Sequence, residues 1–173
     1  MKRSILAALV AVLVVVPALS LRADTPLPPP ELWTVFSPSK ACCAVLDPRT
    51  QVTTVFAVDP AGARMKLWAM VGWHRAAFLA DDGVHLVLGH PGLNLLPLDV
   101  RDDDVLLWFV RRGELVATRT VLEVVGSRSV LRRTASHWLW GGCRGIDGEG
   151  RFVVSTADER VVRFDLATGS RVD

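Results

Sequence analysis

From Trp33 onward the apolar residues come in short alternating runs, broken by Pro, Gly and Asp. Alternation with period two places one set of side chains on each face of an extended segment. It is clearest in Ser136–Leu166, where Arg151–Thr156 and Arg160–Leu166 alternate about a polar Ala157-Asp158-Glu159 turn. Phe152 and Val154 share one face of the first strand, and Val162, Phe164 and Leu166 one face of the second. Gly148 and Gly150 permit a tight entry, and Ala167-Thr168-Gly169 turns the chain out again.

The same grammar runs upstream. Trp33–Phe36, Ala41–Leu46 and Gln51–Val58 are strand-length runs, separated by Ser37-Pro38-Ser39 and Asp47-Pro48-Arg49-Thr50 and closed by Asp59-Pro60-Ala61-Gly62. Met65–Trp73 lacks clean periodicity and reads as a strand or a connector. Ala76–Ala80 and Val84–Leu88 flank Asp82-Gly83, a dipeptide favoured in hairpin turns, and Leu93–Leu98 follows. Val105–Val110 (VLLWFV) has no polar face and predicts a central strand covered on both sides. Leu115–Val121 pairs back through Arg111-Arg112-Gly113-Glu114, whose glycine suits a left-handed conformation. Leu122–Arg133 is the one helix candidate, with Ser127 as a cap.

Strands feeding strands predict an all-β fold of antiparallel hairpins. A propeller-like partial sheet array, a sandwich and a barrel all satisfy the pattern, with at most one short helix. Ala80–Asp99 and Gly148–Asp165 form a weak internal repeat of acidic-Gly turn, strand, polar loop, strand and closing Asp.

Asp82-Gly83, Gly148-Glu149-Gly150 and the FDLATG of Phe164–Gly169 resemble blade motifs of bacterial exported β-propeller repeat proteins of the quinoprotein or WD type. The resemblance covers about a third of the chain and implies blades of antiparallel strands. Two features depart from it. The glycines of the two turns lie 67 residues apart, against roughly 40–50 for propeller repeats. The length also allows only about three blades, below the usual minimum of four. The overall pattern also resembles small exported bacterial proteins, which implies nothing about chemistry.

Residues 1–23 read as a signal peptide: Lys2-Arg3, the apolar Ile5–Val16, then Pro17 and small residues. Residues 24–38 form a proline-rich leader and 39–173 a single β-rich domain. A periplasmic or secreted protein is expected, held at a membrane only if the first segment stays uncleaved. The formal charge is +2, and Lys2 and Arg3 account for it. A near-neutral remainder argues against nucleic acid as a partner.

Export permits disulfides, and Cys143 is expected to pair with Cys42 or Cys43; three buried free cysteines are the alternative. CxxC spacing is absent, and His85 and His90 with Asp81 and Asp82 match no standard metal site, so neither a metal nor another cofactor is expected. Ser136-His137 lacks a GxSxG elbow. The candidate binding residues are His137, Trp138, Trp140 and Arg144, where aromatic surface, an imidazole and a fixed charge lie together. Trp138 and Trp140 share a face of an extended segment; His137 joins them only if Gly141-Gly142 bends the chain. Core filling is the alternative for both indoles. Three functions follow. The first is a non-catalytic binding or scaffolding domain for an extracytoplasmic protein, peptide or saccharide. The others are a small hydrolase centred on His137 and a partial propeller subunit completed by another chain.

Overall fold

The computed structural model describes residues 26–172. The signal-peptide expectation and the first leader residues lie outside the described residues. The architecture is all-β, in four antiparallel sheets.

Sheet 1 is a meander of β1 (Trp33–Phe36), β2 (Cys42–Asp47), β3 (Val52–Val58) and β4 (Arg64–Val71). Met65–Trp73 is therefore largely strand. Its period is blurred because a bulge in the pairing between Val55 and Phe56 shifts the register opposite Leu67. Sheet 2 comprises β5 (Ala77–Leu79), β6 (His85–Gly89), β8 (Val105–Arg111) and β9 (Glu114–Thr120). Between β6 and β8 the chain leaves to form β7 (Leu95–Pro97), which joins β10 (Arg132–Arg133) and β11 (His137–Leu139) in the small sheet 3. Sheet 4 is a second meander, β12 (Gly141–Ile146), β13 (Arg151–Thr156), β14 (Val161–Asp165) and β15 (Arg171–Val172). The Ala167-Thr168-Gly169 turn thus leads into a fourth strand. Asp165 Oδ1 accepts from Thr168 N at 2.8 Å and from its hydroxyl.

Within the repeat, only the second copy forms a hairpin. Leu93–Leu98 does not pair with Val84–Leu88 and passes to sheet 3 instead. What the copies share is their acidic-Gly turn, which joins the first and second strands of sheets 2 and 4 alike. The long spacing between those turns holds the β7 excursion and the segment carrying α1 (Val121–Val125), β10 and β11.

α1 opens on a capping box, in which Thr120 Oγ1 accepts from Glu123 N and Glu123 reaches back to Thr120 N. Ser127 caps the 3-10 turn Arg128–Val130. No helix among the described residues is long and apolar enough to cross a membrane.

Two cores flank sheet 2. Leu106, Leu107 and Phe109 pack with Phe152, Val154, Val162 and Phe164 of sheet 4, and Phe109 meets Phe152 edge-on with centroids 6.2 Å apart. Leu86, Leu88 and Val110 pack with Ala44, Leu46 and Val55 of sheet 1. This explains the missing polar face of Val105–Val110. The first strand of sheet 2 lies against the first strands of its neighbours, β5 against β1 and β12. Four-stranded meanders meeting at their first strands make a propeller-like partial array.

Candidate functional site: the cleft between sheets 1 and 2

The chain crosses from sheet 1 to sheet 2 through Gly72-Trp73-His74-Arg75. Thr53 Oγ1 donates to Gly72 O and Gly72 N to Gln51 O, each at 2.7 Å. Two indoles staple the crossing to the start of sheet 1: Trp73 Nε1 donates to Glu31 O at 2.9 Å, and Trp33 Nε1 to His74 O at 3.1 Å. The fixed Trp73 ring carries the Arg75 guanidinium 5.1 Å from its centroid.

Below this crossing lies a cavity of about 590 Å³. Met70, Leu88, Pro91, Val110 and Leu115 give it apolar walls, and Trp73 and Trp108 supply aromatic ones. The β8–β9 hairpin closes one side because Gly113, at φ 89°, lacks a side chain; a Cβ there would stand 3.1 Å from Ala69 O. The cavity's ionisable groups are His74 and Arg75, with no carboxylate in the lining. Burial lowers the His74 pKa from its ordinary 6.5, so the ring is neutral at neutral pH. Its Nε2 is buried without a hydrogen-bond partner.

Trp108 differs from the other five tryptophans. Trp33, Trp68, Trp73, Trp138 and Trp140 each donate their indole N–H to a backbone carbonyl distant in sequence. Trp108 Nε1 has no such partner among the described residues, and Trp108 is the half-buried tryptophan lining the cavity beside Trp73. Five indoles serve as staples. The sixth has an uncommitted donor.

The residues singled out from sequence are placed apart. Trp140 is fully buried, with Nε1 donating to Leu93 O at 2.7 Å, so it is a core residue. Trp138 is half-buried, donates to Leu98 O and stacks under Arg133. His137 lines a separate cavity with Pro26, Leu27 and His90, and its Nδ1 lies 2.9 Å from Ser136 Oγ. Arg144 donates to Ser155 Oγ and lines an opening between β1, β5 and β12 with Phe36 and Phe78. The chain does bend at Gly141 (φ 132°), where a Cβ would drive into Ser155 O. That bend carries it from sheet 3 into sheet 4 and does not gather the four side chains.

The expected disulfide is not formed. All three cysteines are free thiols, because they face different surroundings. Cys42 points to the Asp81 carbonyl, and Cys43 is enclosed on the opposite face of sheet 1. Cys143 sits by Gly89 in the core shared by sheets 2 and 4, where burial pushes its thiol up to about 12. No cluster of three or more metal-ligating side chains occurs among the described residues. Asp82 instead accepts from Val84 N and His85 Nδ1, and Asp81 from Ser39 N.

The cleft was missed because its parts come from residues 70–75, 88–91 and 108–115. One signal was present: Trp73-His74-Arg75 places an indole, an imidazole and a guanidinium in consecutive positions, closer than in His137–Arg144.

No protein-family model matches the chain, and no curated protein does. One solved structure similar to it is a crystal structure of a Bacteroides fragilis protein put forward as a 6-phosphogluconolactonase. Identity is 14% and the TM-score 0.39, over 82% of this chain and 36% of that one. A likeness at that score bears on neither fold nor chemistry; the propeller-like array rests on the sheet topology above.

Proposed function

We propose that this chain is an exported, non-catalytic binding domain that captures a small molecule between sheets 1 and 2. The observation that carries the reading is the cavity walled by Trp73 and Trp108, with few polar groups and one uncommitted indole donor. Mostly apolar concavities with a few placed polar groups are the usual form of small-molecule sites. The hydrolase alternative rests on Ser136 and His137, whose contact joins sequence neighbours where the turn after β10 enters β11. The partial-subunit alternative finds support in the outer face of sheet 1, where Phe36 and Val71 stay exposed.

The cleft reading is tested by titrating the mature protein with an environment-sensitive naphthalene dye. Enhancement that Trp108→Phe and Leu115→Arg both reduce supports the cleft, since Leu115 lines it and is 61% exposed. Enhancement that both variants leave unchanged places binding elsewhere.

A further inference from the structure

Resting on the cleft reading, the geometry points to the chemical class of its occupant: an organic monoanion, a carboxylate on an aromatic or aliphatic body, held by Arg75 and the Trp108 indole N–H.

Arg75 is half-buried, makes no hydrogen bond or ion pair with any described residue, and rests on the Trp73 face. The other three half-buried arginines, Arg119, Arg151 and Arg163, each face a carboxylate or a carbonyl. A guanidinium stacked on an indole is held in place and weakly hydrated, while its N–H fork remains available for a planar carboxylate. Trp108, which lines the same cavity, carries a second donor in its unpartnered Nε1, which accepts nothing. Of the unmet groups in the lining, Arg75, the Trp108 N–H and His74 Nε2, the first two can only donate, and no carboxylate among the lining residues competes for them.

The walls exclude other classes. A carbohydrate needs many hydrogen-bonding partners, which Met70, Leu88, Pro91, Val110 and Leu115 do not supply. A phosphate dianion meets one fixed cation, since His74 is kept neutral by burial. An organic ammonium would be placed beside Arg75 with no anion to balance it. A single carboxylate matches the single guanidinium, and its hydrocarbon part fills the aromatic and aliphatic walls.

The experiment compares three ligands of one shape, 2-naphthoate, 2-naphthalenemethanol and 2-naphthylmethylammonium, by calorimetric titration of the full chain. Naphthoate should bind at least about tenfold more tightly than the alcohol, the scale of a charge-assisted hydrogen bond in a half-buried site. The ammonium should bind most weakly. Arg75→Gln should bring naphthoate and alcohol to parity, and Trp108→Phe should weaken naphthoate several-fold while sparing the alcohol. Arg75→Lys, which keeps charge but loses the fork, should fall between, and melting curves confirm that each variant is folded. A preference for naphthoate that survives Arg75→Gln overturns the inference, as does equal binding of all three ligands, which leaves the cleft itself as a site. Binding of none of them overturns the cleft reading and the inference with it.

Discussion

Replacing Trp140 by Phe separates a structural indole from a ligand-facing one. Trp140 is fully buried where sheet 3 hands over to sheet 4, and its N–H reaches the Leu93 carbonyl at 2.7 Å. Phenylalanine has two fewer carbons, and their burial contributes about 0.8 kcal/mol each. The lost hydrogen bond adds about 1 kcal/mol. A Leu93 carbonyl left without a donor adds to this wherever water does not replace the indole. The expected loss is about 2–3 kcal/mol, partly increased by any unfilled space. At about 2–4 °C per kcal/mol for a domain of this size, the melting temperature should fall by about 5–10 °C. Urea unfolding followed by far-ultraviolet dichroism measures the same quantity at constant temperature. Trp108→Phe is the internal comparison. Its indole N–H has no partner to lose, so it should cost under about 1 kcal/mol. Equal losses in the two variants, or an unchanged midpoint for Trp140→Phe, would refute the distinction between staples and the free donor.

Two further outcomes follow from titratable groups. Burial, opposed for His90 by Asp104, lowers both the His74 and His90 pKa values from 6.5. The unfolded chain therefore binds protons more readily, and stability present above about pH 6.5 should decline as pH falls from there toward the depressed native values. The double variant His74→Gln, His90→Gln should lack that first decline in pH-dependent urea midpoints; an unchanged decline would remove its assigned cause. For the cysteines, alkylation of unreduced, denatured protein should modify all three thiols, since none is bridged. In the native state at pH 8, Cys143 should react far more slowly than in the denatured chain: a thiol moved from 9.0 to about 12 has about a thousandfold less thiolate. Two blocked thiols in the denatured protein would restore the disulfide.

Much of the fold was legible because it depends on local alternation and turn chemistry. Val105–Val110 announced two covered faces, and Asp82-Gly83 and Gly113 marked their hairpins. Ser127 marked a helical turn, although the α-helix itself begins earlier, at the Thr120 capping box. Strand destination was less legible. Nothing in Leu93–Leu98 shows that it pairs with His137–Leu139, over forty residues away, in place of its neighbour in sequence. The site was less legible still. His137, Trp138, Trp140 and Arg144 cluster in sequence, but a glycine bend and a change of sheet disperse them. Trp73 and Trp108 lie far apart in sequence and become walls of one cavity only when sheets 1 and 2 pack. An indole's hydrogen-bond partner is a tertiary property, so the sequence alone does not distinguish Trp108 from the other five.

The six tryptophans also offer the most direct measurement. In a proton–nitrogen correlation spectrum of uniformly labelled protein, each indole N–H gives its own cross-peak, assigned by single Trp→Phe variants. Titration with 2-naphthoate should move the Trp108 peak downfield as its N–H gains an acceptor, with a smaller ring-current shift at Trp73. The peaks of Trp33, Trp68, Trp138 and Trp140 should stay in place. A stationary Trp108 peak under saturating naphthoate, or a shift centred on Trp138, would contradict the assignment of the cleft between sheets 1 and 2 as the binding site.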